Sequence, residues 1–337
     1  MVNSDAPLDT VTARQSHPRL AVFTDPEELD VSEGRELLER SGFEVRVLGT
    51  RDHSEIIASA SSATAMVIGY TRVDEDLIAA MGNLAIVSTM SVGVDTIDIE
   101  AAVRRGVWIT NVPDAASEEV SVHALSLALS LVRGVGFLDR HVRSGGWATD
   151  AAESLTRPSQ LSFGVIGLGR IGRRVASLAA PIFGRVLGHD PFVADDAWPT
   201  AVGRLSLDSL LRQSDVVSLH LPALANGEAV LDGERLALLP RGAFIVNVSR
   251  GSLLDEHALI EALDAGQVRG AGLDVCATEP PALDDPLRRH PRVLMTPHLA
   301  YLSEQSARSY ALRAAENVAQ WARCGRPHDI VSKGHET

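Results

Sequence analysis

From Arg19 onward, short β-rich apolar runs alternate with stretches in which apolar residues return at helical spacing. The runs RLAVFT, FEVRVLG, MVIGY, LAIVSTMS and VWITN are separated by PEELDVSEGRELLERSG, by two further helical stretches and by IDIEAAVRRG. Apolar runs followed by helices predict a parallel sheet covered by helices. Asp25-Pro26 predicts a helix start, and Gly42, after Glu39-Arg40-Ser41, predicts a helix stop. After Pro113 the segment ASEEVSVHALSLALSLVRGVGFLDRHVRSGG is apolar on more than one face, which predicts one long buried helix of about 25 residues closing at Gly145-Gly146. A second alternating series runs from Leu161 to about Thr296: LSFGVIGLG, RVLGHDP, VVSLHLP, GAFIVNVS, VRGAGLDV and RVLMTPH. The stretch SEQSARSYALRAAENVAQWARCG predicts a final helix with Ala311, Ala314, Ala315, Val318 and Trp321 on one face.

Composition narrows the class. The 337 residues are enough for two domains with cores of their own. Apolar residues make up 45% and charged residues 22%, with no unbroken apolar run long enough to span a bilayer, so no membrane partner is expected. Lys plus Arg number 31 against 44 Asp plus Glu, a net charge of −13 that would repel a phosphate backbone; nucleic acid is not expected as a partner. Two cysteines, Cys276 and Cys324, fit a reducing compartment, and the cytoplasm is the expected location. Residues 1–17 lack an apolar signal core and read as a frayed tail.

The strongest motif is SFGVIGLGRIGRRVASL, in which Gly167, Gly169 and Gly172 form G-x-G-x-x-G between an apolar strand and a helical pattern. Gly167 permits a tight turn, Gly169 lets pyrophosphate approach the backbone, and Gly172 lets helix and strand pack closely. The helix N-terminus then faces the phosphates. The next strand ends at Asp190, placed to accept from the ribose hydroxyls and to repel a 2′-phosphate, which favours NAD over NADP. Because the motif begins mid-chain, a separate catalytic unit is expected on its N-terminal side.

Ligands of open parallel sheets collect beyond the carboxyl ends of the strands. Arg250 follows FIVNVS, Glu279 follows GLDV, and His298 follows VLMTP. Reduction of a 2-oxo acid needs a cation to bind the carboxylate and polarise the carbonyl, an acid to protonate the oxygen, and a group to keep that acid charged. Arg250 has the planar fork for the first role, His298 titrates in the range for the second, and Glu279 suits the third. Hydride comes from the cofactor.

The stretches STMSVGVDTIDIEAAVRRGVWITNVPD, FGVIGLGRIGRRVA, FIVNVSRGSLLDEHALIEAL, GAGLDVCATEPP and VLMTPHLAYLSEQS resemble the D-isomer-specific 2-hydroxyacid dehydrogenase family, from about Arg19 to Ile330. The resemblance implies two Rossmann-like domains joined by long helices: a discontinuous, flavodoxin-like substrate and catalytic domain over 18–112 plus 299–333, and a doubly wound, NAD-binding parallel sheet over 113–298. Catalysis is then expected in a cleft that closes about a hinge. It implies that Arg250, Glu279 and His298 carry the catalysis on a small 2-oxo or 2-hydroxy acid, with NAD as cofactor. Asp274 would meet the nicotinamide carboxamide, and His220, Leu221 and Pro222 would line the cofactor cleft with Arg170, Ile171 and Val248. Ser91, Val92 and Gly93 would hold the substrate carboxylate, Tyr70 and Tyr301 would shape specificity, no metal is needed, and a homodimer is expected.

Some stretches are most similar to glyoxylate/hydroxypyruvate reductases, others to the branch holding the C-terminal-binding-protein corepressors, so an NAD-sensing interaction protein is the competing expectation. Phosphoglycerate and phosphonate-bearing oxo acids are competing substrates. Thr89, where many phosphoglycerate dehydrogenases carry a basic residue, weakens the case for a phosphorylated substrate. Val122 replaces the usual acid on its helix and is read as a repacking change. Gly227 stands where many relatives have Thr near the cofactor phosphates. Cys276 reads as a filler thiol.

Overall fold

The computed structural model describes residues 19–26, 29–147, 155–224 and 226–334, so the expected N-terminal tail, 1–17, lies outside the described residues. The chain forms two compact units: one holds residues up to Pro113 together with those from Arg308 onward, the other Asp114–Ala307.

In the first unit, strands β1 (Arg19–Phe23), β2 (Phe43–Val47), β3 (Ala65–Ile68), β4 (Ile86–Thr89) and β5 (Trp108–Thr110) alternate with helices α1 (Ser32–Arg40), α2 (His53–Ala60), α3 (Glu75–Ala80) and α4 (Ile99–Arg104). Their sheet runs β5-β4-β3-β1-β2, all parallel, the flavodoxin-like order. Both β3 and β4 are buried at every residue, as expected of strands sandwiched between helix layers. One core face is Leu20, Val22, Ile56, Met66, Ile68, Leu77, Val87 and Ile109 with their neighbours. Asp52, Asp74 and Asp98 cap α2, α3 and α4 by accepting a backbone N–H three residues on. The helix α1 ends as expected before Gly42, whose φ is +88°. Its start differs: Asp25-Pro26 does not cap it, and the helix begins at Ser32.

The second unit opens with α5 (Ser117–Val132) and α6 (Val135–Arg143). The single long helix expected here is broken: Gly134 adopts φ +63° and the two segments meet at 61°. Helix α5 buries Ala124, Leu127, Ala128 and Val132, whereas α6 buries none of its residues. Val122 lies exposed on α5. Then follow β6 (Ser162–Ile166), α7 (Arg170–Ala179), β7 (Arg185–His189), β8 (Val202–Arg204), α8 (Leu207–Gln213), β9 (Val216–Leu219), α9 (Gly233–Leu236), β10 (Ala243–Asn247), α10 (Glu256–Asp264), β11 (Val268–Leu273), α11 (Pro286–Arg289) and β12 (Val293–Met295). They form a seven-stranded parallel sheet of order β12-β11-β10-β9-β6-β7-β8. A core lies on each face, one centred on Ile166, Leu219, Ile245 and Leu263, the other on Phe163, Val175, Val216 and Leu127.

Helix α12 (Glu304–Cys324) carries the chain back into the first unit, where β13 (Ile330–Ser332) pairs antiparallel with β5. The boundary falls at Ala307/Arg308 rather than at 298/299. Residues 298–303 stay with the second unit because Leu299 and Ala300 donate backbone N–H to Asp274 and the Ser303 hydroxyl donates to Glu119.

Candidate active site

In the second unit the glycine motif forms the β6–α7 turn. Gly167 sits at φ +90°, and a Cβ there would overlap the His220 carbonyl, so the turn requires glycine on both counts. Gly172 packs its missing Cβ against Gly167, while around Gly169 the space is open. Arg173 Nε braces the turn by donating to Leu168 O at 2.7 Å. Asp190, just past β7, accepts Leu168 N–H at 2.8 Å on Oδ2 and Phe192 N–H at 2.9 Å on Oδ1. An open backbone cradle at the N-terminus of a ten-residue helix, with a carboxylate tethered to it, fits a dinucleotide. Arg170 begins α7 and pairs with Asp114 at 3.1 Å; Ile171 packs against the core.

His220 follows β9 and is buried. Its N–H donates to Ile166 O at 2.7 Å, and its Nε2 lies 2.7 Å from Ser218 Oγ. Nδ1 is buried with no hydrogen-bond partner among the described residues. Burial pushes the imidazole down to about 3, so it is neutral at ordinary pH. Leu221 is half-buried and Pro222 exposed beyond it.

Val248, buried, leads from β10 into the loop that carries Arg250. Asn247 shapes this loop, accepting Ser249 N–H and donating Nδ2–H to Arg250 O at 2.8 Å, while Ser249 Oγ donates to Leu219 O at 2.7 Å. Gly251 lies so close to the chain after β11 that a Cβ would overlap the Cys276 carbonyl. That contact brings the Arg250 turn against the loop holding Glu279. Glu279 Oε1 accepts Cys276 N–H at 2.8 Å, and Oε2 lies 2.6 Å from His298 Nδ1. Burial alone would raise the Glu279 carboxyl, but the hydrogen bonds from His298 and Cys276 and the charges of His298 and Arg250 outweigh it, and the group sits below its ordinary value. The three residues are thus electrostatically one cluster. Cys276 beside them has its thiol pushed up to about 11, by burial and then by Glu256, Glu279, Asp285 and Asp274, and is a poor nucleophile.

His298 has φ +55°, a backbone region that costs a non-glycine residue roughly 1–2 kcal/mol. Asp274 holds it there. The Asp274 carbonyl accepts His298 N–H at 2.8 Å, and its buried carboxylate accepts Thr296 Oγ1–H at 2.6 Å, Leu299 N–H at 3.1 Å and Ala300 N–H at 2.9 Å. The carboxylate expected to meet the carboxamide is therefore engaged with its own chain. Tyr301 lies in the same loop, its carbonyl accepting from Ser306 Oγ at 2.6 Å.

In the first unit, Tyr70 and Ser91-Val92-Gly93 follow the adjacent strands β3 and β4. Ser91 Oγ donates to Gly93 O at 2.6 Å and lies 2.8 Å from Thr89 Oγ1, and Asn111 Nδ2 donates to Val92 O at 2.7 Å, so this loop is fixed in shape. Tyr70 N–H donates to Asp25 Oδ2 at 2.6 Å, and the Arg51 guanidinium lies 5.0 Å over its ring. Among the described residues no cluster of His, Cys, Asp and Glu is arranged to hold a metal ion, and no single helix is long and apolar enough to cross a membrane.

Sequence reading missed Asn247, Gly251 and Thr296 as residues that shape the site. A glycine directly after Arg250 and a threonine two before His298 were the available signals.

The family model described as D-isomer specific 2-hydroxyacid dehydrogenase, NAD binding domain, matches residues 125–300. The chain is 33% identical over 293 residues to D-3-phosphoglycerate dehydrogenase of Archaeoglobus fulgidus, covering 86% of this chain and 55% of that one. It is 34% identical to glyoxylate reductase of Korarchaeum cryptofilum, covering 77% and 80% of the two chains. A solved structure of D-lactate dehydrogenase from Aquifex aeolicus, complexed with NAD and lactic acid, superimposes with a TM-score of 0.81 at 28% identity, covering 92% and 98%. The chain spans about half the length of the phosphoglycerate dehydrogenases it matches. With an NAD-binding domain matched over half its length and a relative of this identity matched over most of its own, the chain belongs to the D-isomer specific 2-hydroxyacid dehydrogenase family.

Proposed function

We propose that the protein interconverts a small, unphosphorylated 2-oxo acid and the corresponding D-2-hydroxy acid with NAD(H). The observation that carries this reading is the 2.6 Å His298–Glu279 pair set against the Arg250 turn at the carboxyl edge of the dinucleotide-binding sheet. Bound NADH supplies the hydride. Arg250 binds the substrate carboxylate and draws electron density from the carbonyl oxygen. With Nδ1 committed to Glu279, His298 delivers its proton to that oxygen from Nε2, and in the reverse direction takes the hydroxyl proton back. Glu279 orients the ring and stabilises the imidazolium. Asp190 favours NAD over its 2′-phosphorylated form. We assign substrate contacts to Ser91-Val92-Gly93, Tyr70 and Tyr301.

Thr89 is buried with its hydroxyl on Ser91, so this position offers no cation to a phosphate, which supports an unphosphorylated substrate despite the names of several relatives. The intact cluster supports turnover rather than NAD sensing alone. The proposal includes a homodimer, from the family resemblance, and a reducing, cytoplasmic setting, from two free cysteines.

The test is NADH oxidation over glyoxylate, hydroxypyruvate, pyruvate, phenylpyruvate, phosphohydroxypyruvate and phosphonate-bearing oxo acids, in the parent and in His298→Ala. Turnover of an unphosphorylated acid, lowered on the order of 10²–10⁴-fold by the substitution while NADH still binds, is expected. Silence across the panel with tight NAD binding would favour the sensing reading.

A further inference from the structure

Among the described residues, His298 is the one non-glycine residue with a left-handed backbone. Such a conformation persists only where its surroundings over-determine it. The clamp that does so is Asp274, and the clamp has a further layer. Asp274 Oδ1 accepts the Thr296 hydroxyl proton at 2.6 Å. With its one hydrogen given away, Thr296 Oγ1 faces His123 Nε2, 2.9 Å distant, as an acceptor. His123 Nε2 therefore carries the hydrogen, and the three side chains form a directed series of donors ending on the Asp274 carboxylate. His123 Nε2 lies 3.8 Å from the same carboxylate oxygen.

His123 rides on α5, whose buried residues Ala124, Leu127 and Ala128 fix the helix against the sheet. The helix comes close to β11 because Gly272 presents no side chain; a Cβ there would stand 3.0 Å from Leu127 Cβ. The helix thus reaches across 173 positions in sequence to brace the loop that carries the proton-transfer residue.

We propose that His123 and Thr296 are positioning residues, which act through Asp274 to hold the His298 backbone in the geometry for proton transfer. The inference rests on the assignment of His298 above. Removing the Thr296 hydroxyl leaves Asp274 Oδ1 short of a donor and loosens the turn, displacing the imidazole without altering the dinucleotide cradle. A displacement of about 1 Å costs on the order of 10²-fold in a positioned reaction.

The experiment compares Thr296→Val, Thr296→Ser, His123→Leu and His123→Gln with the parent and with His298→Ala, using the panel acid that the parent reduces fastest. Thr296→Val is expected to lower kcat roughly 10–100-fold, with NADH affinity and melting temperature close to the parent's. Its solvent deuterium isotope effect on kcat should rise, because proton transfer has become harder. Thr296→Ser keeps the hydroxyl and should restore kcat; His123→Gln keeps an N–H donor and should exceed His123→Leu. A parent-like kcat in Thr296→Val, a serine variant as slow as the valine one, or a loss that tracks melting temperature with an unchanged isotope effect would overturn the inference. If His298→Ala is impaired and Thr296→Val is not, only the positioning role fails. A parent-like His298→Ala, or a parent silent on every acid, removes both assignments together.

Discussion

Replacing Glu279 by Gln isolates the charge in the His298 pair while keeping size and shape. The carboxylate has two oxygens with separate duties, Oε2 toward His298 Nδ1 at 2.6 Å and Oε1 toward Cys276 N–H at 2.8 Å. Both partners are donors. A glutamine has one acceptor for the two, so if its oxygen keeps His298, its NH2 must face Cys276 N–H. The imidazolium also loses its counter-charge. Two unit charges about 4 Å apart attract by about 4 kcal/mol at an effective dielectric of about 20 and by about 1 kcal/mol in water. The side chains of His298 and Glu279 are 32% and 35% exposed, which places the pair toward the screened end, at about 1–2 kcal/mol. Reduction needs the protonated ring, so without the counter-charge the alkaline fall of kcat/KM for 2-oxo acid reduction should move to lower pH. Oxidation of the hydroxy acid needs the neutral ring, so its acid limb should extend downward as well. NADH absorbance across a pH series in both directions measures this, and profiles that superimpose on the parent's would refute an electrostatic role for Glu279.

Asp190→Ala should narrow the preference for NAD over NADP, read as the ratio of kcat/KM values; an unchanged ratio would place discrimination elsewhere. Gly251→Ala, whose Cβ would overlap the Cys276 carbonyl, should push the Arg250 turn off the Glu279 loop, lowering turnover and melting temperature together; a fully active variant would show that this packing is dispensable. His220 has a folded value of about 3 against an ordinary 6.5, so between these limits the unfolded chain binds the extra proton and stability falls as pH falls. Urea melts from neutral to acid pH should show a dependence of roughly 1 kcal/mol per pH unit that His220→Gln removes; an identical slope in the variant would assign the acid sensitivity to other groups.

The fold was legible where its physics is local. Strands β3, β4, β6, β9 and β10 are buried along their whole length, and such strands show as mostly apolar runs without alternation. Strands β8 and β13 have three residues each at sheet edges, too short to show a period. The bend between α5 and α6 was hidden because apolar spacing continues across Gly134 and only its positive φ breaks the helix. At the site, Arg250, Glu279 and His298 were legible as chemistry-bearing residues just past apolar runs. The groups that brace them were not, because their partners are remote. Asp25 reads locally as a helix start, yet it meets Thr71 across 46 positions, and His123 meets Thr296 across 173.

Burial separates three strand-end acids that sequence position alone treats alike. Asp25, just past β1, is buried and accepts from Thr24 and Thr71 hydroxyls, from Gly69 and Tyr70 N–H, and from Arg51 Nε. Through those bonds it pins the loop after β3, the neighbour of β1 in the sheet. Asp274, just past β11, does the same for the loop after the neighbouring β12. Removing a carboxylate from water costs several kcal/mol, and well-packed apolar replacements of buried charges are often no less stable. Stability is therefore a poor account of either acid. What each provides is a loop held in one shape, and those loops carry Tyr70 and His298. Asp190 differs in the respect that matters. It is only half-buried and holds two backbone N–H groups, so its carboxylate keeps the capacity to accept further hydrogen bonds. A buried carboxylate held by several donors of its own chain positions its neighbours, whereas one left partly open has acceptor capacity to offer a ligand.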